Sequence, residues 1–307
     1  GGTQLTNLLS NDVNRQNAIN NLLELVTSKN ADGVDIDFEL LPLSQRDNLV
    51  LFMEELSTAF HNELENPIIT MATPAIDWSG AWDYNSLANI CDKLFIMGYN
   101  YFYSGSGNAG PVSPLGDYYY DLEYTVDDYI DKTNGQLDKI ILGLPYYGYD
   151  WPVVNSDINS ETTGSGVARF YQEANPMAQL YGYNWNNESN TSWFSYENIN
   201  WQQCWYDDSL SLSNKYQFAI DNNLSGIGIW ALGYDNGHDE LWGALSDKFI
   251  SSLFGDINFD NAINVLDVIL LVNIILGVAE TQDNADINND QMINVIDIID
   301  LINLILS

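Results

Sequence analysis

Five short runs of apolar residues, separated by stretches with helical periodicity, constrain the fold of the first 250 residues. The clearest helical stretches are residues 14–29 and 44–63. Strands that alternate with helices predict an α/β fold, in which helices cover a parallel sheet. Loops rich in Trp, Tyr and Gly follow the strands, as is typical of a (β/α)8 barrel with its chemistry at the strand C-termini. The five predicted strands are residues 33–39, 68–72, 93–99, 139–144 and 225–231.

A closed barrel of this kind needs eight strands, whereas this sequence offers five. The stretch from residue 150 to residue 200 contains clusters of Gly, Ser and Asn together with pairs of aromatic residues. We interpret it as an elaborated loop after the fourth visible strand. The sequence therefore predicts an incomplete barrel over residues 1–250.

Residues 251–307 differ in composition and contain an internal repeat. This segment has nine acidic residues and no Lys or Arg. Residues 256–276 align with residues 286–306 at an offset of 30, and 13 of 21 positions are identical. Identity at this level indicates a duplicated unit, so we predict a second, small domain over residues 251–307. The junction at residues 251–255 is short and predicts that no long flexible tether joins the domains.

The net charge excludes two classes of partner. The chain carries nine basic and 43 acidic residues, a formal charge of −34. Such a field repels nucleic acid and anionic membranes but leaves neutral polymers and cations as partners. An acidic surface is also common as an adaptation for solubility or salt. No apolar run is long enough to span a membrane, since the run at residues 268–276 is short and contains Asn273.

Cys91 and Cys204 are the two cysteines of the chain. They lie far apart in apolar surroundings and lack the spacing of metal ligands. We expect buried free thiols rather than a disulfide.

Alternating acidic residues in the first predicted strand point to catalysis. Side chains two residues apart share one face of a strand, so Asp35, Asp37 and Glu39 point to the barrel mouth while Ile36 and Phe38 point away. Like charges at such distances raise at least one pKa. A carboxyl that keeps its proton near neutral pH is the general acid that glycosidic cleavage needs. The alternative is a solvated acidic edge strand.

The spacing Asp32-x-x-Asp35-x-Asp37-x-Glu39 matches the DxxDxDxE signature and resembles glycoside hydrolase family 18, the chitinase family. Further segments resemble the same family in the same order over residues 1–250. The resemblance implies that the five strands are the fourth to the eighth of the barrel, and that the first two strands and nearly all of the third precede Gly1. These further segments are residues 1–2, 97–100, 143–148, 205–210 with Lys215, and 226–230.

The resemblance also implies a substrate-assisted, retaining mechanism without a catalytic cofactor. Glu39 would protonate the glycosidic oxygen and later act as base for water. Asp37 would orient the substrate's acetamido group, whose oxygen attacks the anomeric carbon. Asp35 would share a proton with Asp37, and Tyr99 would hydrogen-bond the acetamido oxygen.

Sugar contacts are expected from residues that follow the strands. Asn100 stands where the family usually has Asp, so it can hydrogen-bond but carries no charge. The resemblance places Trp230 at the floor of the −1 subsite. Aromatic rings stack on sugar faces, although any single ring is more often part of a core. The predicted substrate-binding residues are Met97, Asn100, Tyr147, Trp78 and Trp230, with Trp82, Tyr101, Tyr103 and Trp151 as further candidate walls.

Both copies of the C-terminal repeat have the pattern of a calcium loop, with oxygen-bearing residues at positions 1, 3, 5, 9 and 12 and a backbone carbonyl at position 7. Position 12 is Asp where an EF-hand has Glu, and position 6 is Asn261 or Gln291 where it has Gly. The alternative is an Asp/Asn-rich turn without metal. The predicted ligands of two structural Ca²⁺ ions are Asp256, Asn258, Asp260, Ala262, Asn264, Asp267, Asp286, Asn288, Asp290, Met292, Asn294 and Asp297.

Two such loops, each followed by one helix, resemble a dockerin, an all-α module that binds cohesin domains on scaffold proteins. The predicted helices, residues 268–276 and 298–306, are apolar nearly all round, so part of their surface needs a partner or the barrel. The apolar pairs at residues 265–266 and 295–296 occupy the positions that dockerins use for recognition.

Three functions remain open at this point. The first is hydrolysis of chitin or related β-1,4-linked N-acetylglucosamine polymers. The second is hydrolysis of peptidoglycan or other glycans with the same machinery, and the third is carbohydrate binding without catalysis, against which the intact Glu39 argues. A polymeric substrate and a docking module both indicate a secreted protein, extracellular or at the cell surface.

Overall fold

The computed structural model describes residues 2–249, 255–260, 262–288, 290 and 292–306. The chain divides into two compact units, Gly1–Ala244 and Leu245–Ser307. Gly1, the junction residues 251–254 and the two position-6 residues, Asn261 and Gln291, lie outside the described residues.

A five-stranded parallel sheet is the centre of the first unit, and each of the five predicted runs contributes one strand. The strand order is β1-β2-β3-β4-β10, so β1 and β10 form its two edges. The strands are β1 Gly33–Asp37, β2 Ile68–Pro74, β3 Lys93–Met97, β4 Ile140–Pro145 and β10 Gly226–Trp230.

Helices follow the strands, as the alternating pattern predicts. Four of them begin after an Asn or Asp side chain that accepts an N–H of the first turn, which satisfies a donor that the helix itself leaves unpaired. These caps are Asn11, Asp83, Asp121 and Asp208. The helices of this unit are α1 Gly2–Leu9, α2 Asp12–Lys29, α3 Arg46–Glu63, α4 Tyr84–Ile90, α5 Leu122–Lys132, α6 Tyr171–Tyr181 and α7 Ser209–Asp221, while α8 Asp239–Phe249 spans the division between the units.

Close packing at the centre of the sheet depends on two glycines. A Cβ atom at Gly143 of β4 or at Gly228 of β10 would lie 2.2 Å or 2.1 Å from the ring of Phe95. The Phe95 ring of β3 therefore lies directly over the backbone of both strands. Any larger residue at either position would displace it.

Residues 150–200 do not form the predicted loop but build most of a second sheet. This sheet is antiparallel, in the order β6-β5-β9-β8-β7, and Trp151 and Trp205 are buried in its core. The Gly, Ser and Asn clusters that indicated a loop lie in the connections between strands, residues 154–166 between β5 and β6 and residues 187–190 between β7 and β8. The strands are β5 Tyr147–Val153, β6 Val167–Phe170, β7 Asn184–Asn186, β8 Thr191–Asn198 and β9 Asn200–Tyr206.

After α8, the described residues of the second unit form two α-helices, α9 Val265–Ile275 and α10 Val295–Leu306, around a core of Ile257, Leu271, Ile287 and Leu301. Each helix begins three residues before the predicted start. In α9 the reason is a reciprocal cap, in which Asn264 accepts from the N–H of Leu266 at 2.8 Å and Asp267 accepts from the N–H of Asn264 at 2.8 Å. Over the described residues, no helix is both long and apolar enough to cross a membrane.

A fully buried ion pair joins the end of β9 to helix α7. Lys215 donates to the Oδ1 atom of Asp207, and the hydroxyl of Ser211 donates to the same oxygen. Asp207 Oδ2 has no hydrogen-bond partner among the described residues. The loss of Lys215 would therefore leave a buried carboxylate with only one weak donor.

We expect Lys215→Met to lower the free energy of unfolding by about 3–5 kcal/mol, because one charge of a buried pair is then left uncompensated. The matched control is Lys132→Met, since Lys132 pairs with Asp128 at 2.8 Å on the exposed face of α5. Exposed pairs contribute about 0.5 kcal/mol. Urea unfolding of both variants measures the difference, and similar losses would contradict this account.

Candidate active site

The acidic residues of β1 alternate with buried ones, as the sequence predicts. Asp35, Asp37 and Glu39 are exposed while Ile36 is buried. The strand itself is shorter than predicted and ends at Asp37, so Glu39 extends from the loop beyond it. Leu40 has φ +58°, an uncommon backbone conformation for a bulky residue, and there the chain turns away from the sheet.

Parallel register aligns the carboxyl ends of all five strands. Pro74 pairs with Met97, Met97 with Gly143, and Pro145 with Trp230, while Asp37 lies beside β2. Residues that follow these ends, which are distant in sequence, are therefore brought to one edge of the sheet.

A cavity of about 660 Å³ lies at this edge. It contains three of the four predicted catalytic residues, Asp37, Glu39 and Tyr99. All five predicted substrate contacts line it as well: Met97, Asn100, Tyr147, Trp78 and Trp230. Asp35 is not among its lining residues, which differs from the expectation that all three acids face the mouth.

Asp35 lies behind Asp37 and is held by the neighbouring strand. The hydroxyl of Thr70 donates to Asp35 Oδ1 at 2.6 Å, and the two residues are register partners. Sequence reasoning missed Thr70, because nothing in the sequence fixes which residue of β2 lies opposite Asp35. The contact orients Asp35 without neutralising it.

The charge of Asp35 acts on Asp37. Although Asp37 is largely exposed, partial burial of its carboxyl raises the pKa above the ordinary value, and the neighbouring negative charge of Asp35 raises it further. Asp37 therefore keeps a proton to higher pH than an isolated aspartate does. The two side chains form a pair that holds a proton more readily than two separate carboxylates.

Tyr99 is a hydrogen-bond donor close to all three acids. Burial raises the pKa of its phenol, and the charges of Asp37, Glu39 and Asp35 raise it further. The hydroxyl consequently stays protonated at neutral pH. A neutral donor beside carboxylates suits a substrate oxygen that gains negative charge or accepts a hydrogen bond.

Asn100 and Tyr147 form one wall of the cavity. The hydroxyl of Tyr147 donates to Asn100 Oδ1 at 2.7 Å, and the Tyr147 ring contacts the ring of Tyr99 edge-on at 6.1 Å. Asn100 has φ +63°, a conformation that Asn tolerates better than most residues. The side-chain oxygen of Asn100 is therefore the acceptor that holds Tyr147 at the cavity wall.

The candidate aromatic walls separate into exposed and buried groups. Trp230 is 47% exposed and Trp78 is 75% exposed at the cavity, and Tyr101 and Tyr103 also line it. Trp151 is fully buried in the antiparallel sheet, so its prediction as a sugar contact is wrong. The reason is that the loop expected after β4 is a folded sheet with its own core.

Two further residues show what the sequence could not assign. Trp82 is nearly buried and lines a smaller cavity of about 220 Å³ that also contains Glu39 and Leu40, rather than the larger one. Tyr120 lines the larger cavity but was not predicted. It lies in a run of three tyrosines with no strand before it, and that run gave no signal for an active-site residue.

Comparison with known proteins assigns both parts of the chain. The model of the glycosyl hydrolases family 18 matches residues 1–235. The chain belongs to glycosyl hydrolase family 18. The dockerin type I domain matches residues 254–306 of this family 18 chain.

The family 18 chain is similar to bacterial and animal members. A Bacillus subtilis protein named as a sporulation-specific glycosylase, YdhD, is 28% identical over 73% of this chain and 52% of its own length. The solved YdhD structure has a TM-score of 0.64 and covers 75% of this chain and 76% of that one. The cortical fragment-lytic enzyme of B. subtilis is 28% identical over 79% of this chain and 55% of its length. The chain thus spans about half the length of these two relatives.

Human di-N-acetylchitobiase is 25% identical over 74% of the family 18 chain and 67% of its own length. The relatives therefore include proteins named for different activities. Membership in the family identifies the fold. It does not choose between the different activities for which the family's members are named.

The dockerin region of this family 18 protein contains two loops with the same hydrogen bonds. Asp267 Oδ1 accepts from the N–H groups of Ile257 and Asn258 at 2.8 and 3.1 Å, and Asp297 does the same in the second loop at 2.9 and 3.3 Å. Within the described residues, no three Asp, Glu, His or Cys side chains converge on one point. The loop acids and amides instead accept backbone N–H groups.

We expect Asp35→Asn to lower the pKa of Asp37, since the negative charge that raises it is removed while the shape of the side chain is kept. Burial remains, so the pKa of Asp37 stays above its ordinary value. The pH range over which Asp37 holds a proton then shifts downward. NMR titration of the side-chain carboxyl carbons measures this shift. Asp32→Asn serves as control, and an unchanged or higher pKa in Asp35→Asn would refute the coupling.

Proposed function

We propose that this protein hydrolyses β-1,4-linked N-acetylglucosamine polymers, chitin or chitooligosaccharides, with retention and with assistance from the substrate. One observation carries the proposal: Asp37, Glu39 and Tyr99 line a single cavity together with the half-exposed ring of Trp230. This combination offers a proton donor, two groups for the acetamido function and a flat apolar surface for a sugar face.

In the first step Glu39 donates its proton to the glycosidic oxygen. The bond between this oxygen and the anomeric carbon breaks, while the acetamido oxygen of the same sugar forms a bond to that carbon. The product is a cyclic oxazolinium ion. A tethered nucleophile avoids a bimolecular encounter, which can account for several powers of ten in rate.

In the second step the Glu39 carboxylate accepts a proton from water, whose oxygen attacks the anomeric carbon from the face that the leaving group left. The acetamido oxygen is released, so two inversions give net retention. Asp37 orients the acetamido N–H, and Tyr99 donates a hydrogen bond to the acetamido oxygen. Asp35 tunes Asp37 through the charge coupling described above.

Peptidoglycan or another N-acetylglucosamine-containing glycan is the second candidate substrate. The observation in its favour is the similarity to two bacterial relatives that are named for sporulation and for cortical fragments. Digestion of chitin and peptidoglycan side by side, with reducing ends counted, separates the two. The third candidate, carbohydrate binding without catalysis, would leave the acid in Glu39 without a role.

We expect Glu39→Gln to lower product release from chitooligosaccharides by at least about 100-fold, because Gln cannot donate the proton that a general acid supplies. Glu54→Gln, at an exposed position of α3, is the control. Reducing ends released per unit time give the rates of both variants and of the unaltered chain. Unchanged turnover in Glu39→Gln would rule out the assigned role.

We propose further that each dockerin loop holds one structural Ca²⁺ ion. Asp267 and Asp297 are carboxylates with fully buried side chains, and residues 251–307 contain no basic residue to balance them. Carboxylate, amide and carbonyl oxygens are the ligands that Ca²⁺ prefers. The residues present fit this ion, which would supply the missing positive charge.

The exposed apolar pairs of α9 and α10 support docking to a scaffold protein of the cohesin type. Val265, Leu266, Val295 and Ile296 are each more than half exposed, at the start of the two helices. Exposed apolar patches of this kind mark interaction surfaces. A docked polysaccharide hydrolase acts outside the cell, so we place the protein in the extracellular space or at the cell surface.

We expect a calcium chelator to lower the unfolding temperature of the dockerin region, because an ion bound only by the folded state stabilises it by about 2.7 kcal/mol at 100 times its dissociation constant. Calorimetry of the full chain with and without Ca²⁺ measures this effect. Asp267→Ala should reduce the response, whereas Asp300→Asn, on α10 outside the loops, should keep it. A calcium titration that leaves every transition in place would overturn this proposal.

A further inference from the structure

We propose that the aromatic patch formed by Trp78, Tyr119, Tyr120 and Tyr124 binds the part of an uncharged N-acetylglucosamine chain that extends beyond the cavity. This inference rests on the proposed function, since it concerns the same polymer. It adds a binding surface that the catalytic residues do not include.

Tyr120 connects the cavity to the outer surface. Its ring lines the cavity and contacts three other rings edge-on, with centroid distances of 4.9 Å to Trp78, 4.6 Å to Tyr119 and 5.1 Å to Tyr124. Trp78 also lines the cavity, whereas Tyr119 and Tyr124 do not. The four rings therefore form a continuous aromatic surface from inside the cavity to outside it.

The outer rings are strongly exposed. Tyr119 is 85% exposed and Trp78 is 75% exposed, in a chain whose other large rings are mostly buried or half-buried. Several exposed aromatic rings in contact with one another are more typical of a binding surface than scattered single residues are. A flat, partly polar ring surface suits a sugar chain, whose apolar faces stack on it while its hydroxyls stay in water.

The exposure of Tyr119 is imposed by a fixed turn. Asp121 is buried, and its carboxylate accepts from the N–H of Tyr118 at 3.1 Å and from the N–H of Tyr124 at 2.8 Å. The same residue caps helix α5, so the turn and the first turn of the helix are held together. The patch is thus arranged before any ligand arrives, which lowers the entropy cost of binding.

Tyr118 shows that exposure is not a property of the whole tyrosine run. Its hydroxyl donates to Asn159 Oδ1 at 3.2 Å and its ring contacts Phe102 edge-on at 5.7 Å. Tyr118 therefore packs on the protein, Tyr120 faces the cavity, and Tyr119 faces solvent. Three adjacent tyrosines have three different environments.

Charge selects the class of polymer. The exposed acids Asp117, Glu123 and Asp127 belong to the same turn and helix as the patch, and the whole chain carries a charge of −34. A glycan that carries carboxylates is repelled by these acids, whereas an N-acetylated sugar chain without charge is not. The geometry therefore favours the neutral polymer.

The test measures binding by calorimetry with the full chain in a Glu39→Gln background, so that oligosaccharides stay intact. The probes are N-acetylglucosamine oligomers of two to eight units. We expect affinity to rise with length, and Tyr119→Ala to weaken the longest oligomers about fivefold to tenfold, the loss of one ring contact, while Tyr119→Phe retains them. Tyr183→Ala, at a half-exposed tyrosine away from the cavity, is the matched control.

The outcomes separate this inference from the proposed function. One outcome is that the two-unit N-acetylglucosamine oligomer binds, and that the Tyr119→Ala and Tyr183→Ala variants bind the long oligomers equally well. The patch then has no role, and the catalytic proposal stands. If no oligomer of any length binds, both proposals fail. A carboxylate-bearing peptidoglycan fragment that binds more tightly than the neutral oligomers, and loses this affinity in Tyr119→Ala, would contradict the choice of an uncharged chain.

Discussion

Parallel pairing of five strands is the constraint on which the rest of the first unit depends. Parallel strands in register end at the same edge, and the residues that follow them converge there although they are far apart in sequence. Asp37, Met97 and Trp230 illustrate this arrangement, since 193 positions separate the first from the last and all three line one cavity. Around these strands, helix α2 packs on β1 and helix α7 on β10, and the Phe95 ring lies against Gly143 of β4 and Gly228 of β10.

The candidate active site gathers negative charge where a folded protein normally avoids it. Asp35 and Asp37 lie on one face of a five-residue strand, and the raised pKa of Asp37 reflects this proximity as well as burial. Thr70 orients Asp35 by a hydrogen bond without supplying a compensating positive charge. The repulsion between the two carboxylates is therefore kept at the cavity, and enzymes use such proximity to raise the pKa of a carboxyl that must hold its proton. In contrast, the charge of Asp207 is balanced by Lys215 deep in the structure.

The dockerin region follows a different physical principle, because its core is small and its loops are polar. Two helices and a few buried side chains such as Ile257 and Leu301 form that core, and small cores commonly need a metal ion or a partner for stability. The two loops have nearly the same hydrogen bonds, because the residues that make these bonds are the same in both copies. Duplication has therefore repeated both the loop geometry and the exposed apolar start of each helix.

The sequence by itself determined the five parallel strands, the alternation of Asp35, Asp37 and Glu39, and the two repeated loops, because these depend on local periodicity and spacing. Only the tertiary structure decided which side chains meet across strands, such as Thr70 with Asp35 or Tyr147 with Asn100, because strand register is not encoded in any short segment. It also decided that residues 150–200 form a sheet that buries Trp151, and that Tyr119 is exposed while Tyr118 is packed. These outcomes depend on contacts between residues distant in sequence, which no local pattern specifies.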